Sequence, residues 1–256
     1  MMEERDISEA IKRDYDIKDV VIVPAMDNEL DTASAVGYAA AIKLTDMMQS
    51  GFSLTMTWGR IIANIVSKIP PNALENIHIT TLSGSIGGSK PELDGPDLAR
   101  RMALALHGNY EYINAPAIVL TSTLRDQLLS TQQIAQVLKK AALSDVALFG
   151  VGTLTDPNSS LNRAGYITKQ DQQLYLAQGG VGHIAARIID KDGQEISEFN
   201  DRTVSLPLAE IASIPHRMCV VSGVSKAPAL QAALKMHYMN YLVVDSRCAT
   251  SLLSLS

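Results

Sequence analysis

The feature that most constrains this chain is a junction that keeps recurring: an apolar run of β-branched residues, a short turn rich in glycine and hydroxyl side chains, then a helical pattern. It is clearest at residues 52–56, which run into Thr57-Trp58-Gly59-Arg60 and a helix with Ile61, Ile62, Ile65 and Val66 on one face. A strand feeding a helix through such a turn leaves backbone N–H groups at the helix start, where the helix dipole also favours negative charge. Arg60 adds a cation at that place. The run at 77–82 leads in the same way into Leu82-Ser83-Gly84-Ser85-Ile86-Gly87-Gly88-Ser89-Lys90, so a second loop with its own cation, Lys90, is available to an anion.

In order, the sequence predicts a short helix over 7–14, a strand over 19–23, and a long helix from 32 to about 49 with Asp31 or Thr32 as cap. A helix over 60–69 is stopped by Pro70 and Pro71, and a helix over 96–107 follows the second loop. Strands are expected at 117–120, at 145–151 and at 184–189, with a helix over 131–143 and a turn at Asp192-Gly193. The end reads as strand 218–221, turn 223–226, helix 227–236, strand 241–244 and helix 248–253. Most of these strands are unbroken apolar runs, which are covered on both faces, so the expected fold is α/β with a mainly parallel, doubly wound, Rossmann-like sheet. Ligands of such sheets bind beyond the carboxyl ends of the strands. There the loops at 58–60, 84–90, 150–153 and 223–226 line up as one pocket. A polar stretch from 156, returning through 202, is expected to form a small lid or side element.

Bulk properties remove whole classes of function. The net charge is −5, and the N-terminal part is the most acidic, so a basic nucleic-acid arm is absent there. The two cysteines, Cys219 and Cys248, have no metal-ligand spacing and read as reduced thiols, not as a zinc site. No apolar run approaches the ~18 residues of a membrane span, and the acidic start does not look like a signal peptide. A cytoplasmic protein without membrane contact is expected. No cofactor motif is present: Gly150-Val151-Gly152 begins like a dinucleotide fingerprint but lacks the final glycine.

The segments GYAAAIKL, TWGRII, LSGSIGG, NAPAIV, DVALFGVGT, GGVGHIAARIIDKDGQEI, VVSGVSKAPALQAAL and YLVVDSRCATSLL, in this order and spacing from about 16 to 253, resemble the sugar-binding domain of the SorC/DeoR class of bacterial transcriptional regulators. The resemblance implies a fold of the sugar-phosphate isomerase and CoA-transferase-like group. It also implies a phosphorylated sugar as effector, pairing into dimers or tetramers, and contact with DNA only through a separate N-terminal helix-turn-helix. On that division, residues 1–15 are a helix or linker and 16–256 the effector domain. No helix-turn-helix precedes the domain in this sequence. The chain is accordingly expected to be either the effector-binding piece of a longer regulator or a stand-alone paralogue.

The resemblance assigns ligand contacts to Trp58, Gly59 and Arg60, to the segment from Ser83 to Ser89 with Gly84, Ser85, Gly87 and Gly88, and to Lys226 as a phosphate-directed lysine. Lys90, Gly152 and His183 complete the candidate set. Two positions depart from the family pattern: Ile61 stands where a threonine is usual, and His183 where Asp or Glu usually follows the GAVG-type segment. An alternative function is an aldose–ketose sugar-phosphate isomerase, for which Asp94, Glu92, His183 and Asp245 are the candidate acid–base groups. Schiff-base capture of an aldehyde by Lys90 or Lys226 is a third reading. Trp58 suits either a sugar face or a buried anchor.

Overall fold

The computed structural model describes residues 3–71, 74–88, 90–156 and 159–255. Twelve strands occur among them: β1 Asp19–Val23, β2 Ser53–Met56, β3 His78–Thr81, β4 Gly84–Ser85, β5 Asn109–Tyr110, β6 Ile113–Pro116, β7 Val146–Phe149, β8 Gly152–Thr153, β9 Gly180–Ile184, β10 Arg187–Asp190, β11 His216–Val221 and β12 Tyr241–Asp245. Seven form one sheet in the order β1-β12-β11-β7-β2-β3-β5, and every pairing in it is parallel.

Alternation along the central strands splits the apolar interior into two layers. Val146, Leu148, Met218, Val220 and Val243 point to one face, where the helices Glu29–Met47, Arg60–Val66 and Gly95–Ala105 bring Val36, Ile62, Ile65, Leu98 and Met102. Ala147, Phe149, Cys219, Val221, Leu242 and Val244 point to the other, against Ile7 and Ile11 of the Glu4–Tyr15 helix and Leu230, Ala233 and Leu252 of the two C-terminal helices. The doubly wound sheet thus follows from strands that are apolar on both sides. The side element is a small antiparallel sheet, β10-β9-β8, accompanied by the helices Ser160–Arg163 and Lys169–Ala177.

Several element boundaries differ from the expectation. The long helix starts at Glu29 because Asn28, not Asp31 or Thr32, is its cap, accepting from Asp31 N–H at 2.8 Å. The helix after β2 ends at Val66, three residues short of the expected end and ahead of Pro70. The strand expected at 117–120 lies at Ile113–Pro116, and a helix, Ser122–Ser130, follows it. That helix buries no residue, so it shows no apolar stripe to read. The strand expected over 184–189 is the corner of a hairpin: Ala185 and Ala186 both hold positive φ, 48° and 68°, and the preceding Gly180–Ile184 is itself β9. Alanine carries none of the turn signal that Asn-Gly would give at such a corner.

Candidate functional site

Because the seven main strands run in one direction, their carboxyl ends open on one edge of the sheet. At the end of β2, Gly59 takes a φ of 109° as the chain turns into the Arg60–Val66 helix, a conformation that costs a side-chain-bearing residue far more. Its N–H donates to Leu93 O at 3.0 Å and its carbonyl accepts from Ala63 N–H at 2.9 Å. At the end of β11, Gly223 (φ 110°) performs the same turn ahead of Lys226. These loops meet β8 and β9 around a cleft that brings together Trp58, Gly59, Arg60, Gly152, His183 and Lys226. Past Trp58 and Arg163 the cleft continues to Gly87, Gly88 and Lys90.

In the second loop the amides of Ile86 and Gly87 are not offered to a ligand. Ile86 N–H and Gly87 N–H donate to the Asp94 carboxylate at 2.9 and 3.3 Å, the Ser85 hydroxyl also donates to it, and Gly95 N–H reaches it at 2.8 Å. Asp94 therefore fills the nest that the sequence suggested for an external anion, while capping the Gly95–Ala105 helix. Gly84 is a packing residue here: a Cβ on it would sit 2.4 Å from Ala115 O. Ser85 lines a separate groove with Tyr112, Asn114 and Tyr166. Ser89 lies outside the described residues.

The electrostatics of the cleft are set by cations. Among the described residues neither Arg60 nor Arg163 has a carboxylate within 4 Å. Burial, then the neighbouring charge of Arg60, lowers the pKa of Arg163 and also that of the half-buried Lys226. Asp156 counters both from the same cleft. The Lys226 ammonium donates to Ser222 O. Beneath it Asp245 accepts from Gly223 N–H at 2.7 Å and Cys248 N–H at 2.9 Å, so its oxygens are already used by the backbone.

His183 sits on β9 directly opposite Gly152 on β8, and the absence of a side chain at 152 is what admits its ring: a Cβ there would lie 2.0 Å from Nε2. The residue is 5 % exposed and its Nε2 has no hydrogen-bond partner among the described residues. Burial and then the Lys226 charge push its pKa down to about 4, so the imidazole is neutral at physiological pH. Trp58 borders both halves of the cleft while remaining buried at 7 % exposure, so its ring anchors the wall more than it offers a face.

Of the candidate acid–base groups, Asp94 and Asp245 are helix caps and Glu92 lies exposed in the short turn Pro91–Leu93, outside the cleft lining. The described residues contain no cluster of three or more His, Cys, Asp or Glu arranged for a metal, and no helix among them is long and apolar enough to cross a membrane. Cys219 and Cys248 are buried free thiols, and burial pushes both pKa values up, that of Cys248 to about 12. Sequence reasoning missed Arg163, Ser159, Ser160 and Asp156, which enter the cleft from the polar stretch read only as a lid. The signal was local and small: a Ser159 cap followed by a four-residue helix ending in Arg163.

A family model described as a putative sugar-binding domain matches residues 1–254. The chain belongs to this family, the sugar-binding domains of SorC/DeoR-type transcriptional regulators. Similar proteins include an uncharacterized transcriptional regulator, YjhU, of Escherichia coli K12, 26% identical over 97% of this chain and 77% of its own length. The deoxyribonucleoside regulator of Bacillus subtilis 168 is 24% identical over 92% of this chain and 74% of its own length. Among solved structures, a transcriptional regulator from Streptococcus pneumoniae TIGR4 superposes with a TM-score of 0.91 at 21% identity, covering 98% of this chain and 97% of that one. The full-length sorbitol operon regulator SorC from Klebsiella pneumoniae gives 0.89 at 20% identity, covering 99% and 82%. The sugar-binding domain therefore has the regulators' fold throughout, with the cleft at its sheet edge.

Proposed function

We propose that this sugar-binding domain senses a phosphorylated sugar in the cleft and passes the signal to DNA binding by rearranging a homo-oligomer, in the cytoplasm and without transforming the ligand. The observation that carries the reading is the convergence of Arg60, Arg163 and Lys226 on one cleft, with Thr57, Thr153, Ser159 and Ser160 beside them as hydroxyl partners. Guanidinium groups without a carboxylate partner suit a phosphate, because their forked donors match its oxygens. The hydroxyls suit a polyol. The anion is held chiefly by side chains in this reading, since Gly59 N–H and the amides of Ile86 and Gly87 are already engaged.

Sensing is supported over isomerisation by the state of the candidate bases. Asp94 and Asp245 are committed to backbone N–H groups, and an imidazole with a pKa of about 4 is a weak base at neutral pH. A ligand that prefers one quaternary arrangement shifts the oligomer toward it by its differential affinity and nothing else. Isothermal titration against ribose 5-phosphate, deoxyribose 5-phosphate, fructose 6-phosphate and glucose 6-phosphate, with their unphosphorylated counterparts, tests the proposal. Binding that requires the phosphate, with no conversion of the recovered ligand, is expected. Turnover of any of them, or equal binding of a free sugar, would overturn it.

A further inference from the structure

The strand ends hold more space than the cleft occupies. On the other side of Arg60 and Lys226 lies a recess of about 280 Å³, against about 100 Å³ for the part of the cleft around Arg60 and His183 and about 80 Å³ for the part around Gly87. It opens where the segments that follow β1, β2, β11 and β12 come together, represented by Ala25, Ile61, Val224 and Arg247. The recess and the cleft share Arg60, Ile61 and Lys226 as a common border. Arg60 is exposed, and among the described residues no carboxylate lies within 4 Å of it, so no ion pair pins its side chain across that border.

The two spaces differ in kind. Where the cleft presents hydroxyls beside its cations, the recess presents Ala25, Leu30, Ala33, Ile61, Ala63 and Val224. Leu30 and Val224 are 77 % and 47 % exposed, so apolar surface faces water there until something covers it. Of the uncharged polar side chains in the lining, the Thr32 hydroxyl is already bound to Met26 N–H and Asn28 O, both at 2.9 Å, which leaves Asn64 and Ser222. Arg60, Lys226 and Arg247 are nearly balanced by Glu29 and Asp245, so the recess calls for no second anion. A flat apolar ring suits it better. Guanidinium groups lie favourably over aromatic faces, and an apolar cavity of roughly 150 Å³ is enough to hold benzene. The border shared with the cleft then decides how such a ring arrives: attached to the sugar phosphate.

Resting on the sugar-phosphate reading above, we propose that the effector is a phosphorylated sugar with an aromatic group on its anomeric carbon. The phosphate stays in the cleft among Arg60, Arg163 and Lys226, and the aromatic group passes Ile61 into the recess. Phosphate and anomeric substituent sit at opposite ends of such a molecule, as the two spaces sit on opposite sides of their shared border. An O-linked aryl glycoside phosphate and an N-linked nucleoside monophosphate both have this chemistry, and the test separates them.

Titration calorimetry on the protein compares two series: glucose 6-phosphate with methyl and phenyl β-glucoside 6-phosphate, and ribose 5-phosphate with uridine and adenosine 5′-monophosphate. In at least one series the aromatic member is expected to bind about tenfold or more tighter than its parent sugar phosphate, the worth of burying one ring. Which series shows the gain identifies the linkage, and the methyl glycoside is expected to gain little. Ala33 lines the recess and not the cleft. Ala33→Trp is therefore expected to bring the ratio toward one while the parent sugar phosphate binds as before, and Leu30→Asn, at an exposed side chain, to reduce it. A ratio near one in both series of the unaltered protein would overturn the proposal, as would a methyl glycoside that gains as much as the phenyl one. So would a ratio that survives Ala33→Trp or, should that variant not fold, Leu30→Asn. A ratio near one together with an oligomer that Leu30→Asn dissociates in light scattering would overturn it in favour of a subunit contact on the recess. Phosphate-dependent binding without any aromatic gain defeats this proposal and leaves the sugar-phosphate reading standing; if no phosphorylated compound binds, both fall together.

Discussion

His183 is the residue whose energetics are most exposed to test. Its folded pKa of about 4 lies below the ordinary 6.5, so between those values the unfolded chain takes up a proton that the folded protein refuses. Stability is then complete above about pH 6.5 and falls as the pH drops, by roughly 2–3 kcal/mol at about pH 4.5 from this group alone. His183→Gln removes that dependence. Denaturant unfolding of both proteins at neutral pH and near pH 4.5 is expected to show the variant losing less on acidification; equal losses would mean that the ring is protonated in the fold. At this scale the sequence was informative about identity and silent about partnership. Gly152 and His183 each stood out, but their juxtaposition depends on the register of β8 against β9, which places residues far apart in sequence face to face. Arg163 was invisible for a related reason. Nothing around it is periodic, and only the fold brings it beside Arg60.

At the scale of elements, the hairpin β9–β10 positions His183, and a buried clamp fastens it. The Arg187 guanidinium on β10 donates to Ser205 Oγ at 2.9 Å, to Leu206 O and Ser205 O at 3.0 Å, and to Glu195 at 2.7 Å. Glu195 in turn accepts from Leu208 N–H and from Asn200, whose side-chain amide closes on both backbone groups of Ile188. Removing one partner of such a buried network strands the rest, and Arg187→Ala is expected to cost about 3–5 kcal/mol. Thermal denaturation should show a fall of roughly 10 °C for a chain of this size. A change within a degree or two would mean that the clamp is dispensable. In the main sheet the edge strand β5, only Asn109–Tyr110, was missed, and the other six strands were legible because they are apolar runs; β1 matched its expected bounds. The clamp was not, because Arg187 reads as a solvated charge until the hairpin turns it inward. The strand misplaced to 117–120 has the same origin. Ala117 is fully buried, yet the strand is the preceding Ile113–Pro116, alternately buried and exposed and ending in proline. Among the described residues it pairs only with the short β4, so its sequence carries little strand signal.

For the whole molecule, a sensing cleft and a stable fold make opposite demands. Two layers of apolar packing on the sheet supply the stability, while the cleft at the strand ends gathers Arg60, Arg163 and Lys226 against their mutual repulsion, with Asp156 as partial relief. A site assembled for binding in this way is destabilising until its ligand arrives. Arg163→Gln separates the two roles, since Arg163 is exposed and belongs to a four-residue helix. Without ligand, the variant is expected to melt at the same temperature as the parent or slightly higher. With the best-binding sugar phosphate at about 100 times its dissociation constant, the parent gains about 2.7 kcal/mol, a rise of roughly 5–10 °C. The variant, at the same ligand concentration, is expected to lose most of that rise. Thermal scans of both proteins with and without ligand measure the two effects separately. A variant that melts several degrees lower without ligand would make Arg163 a structural residue, and one that keeps the full ligand-dependent rise would remove it from the binding site.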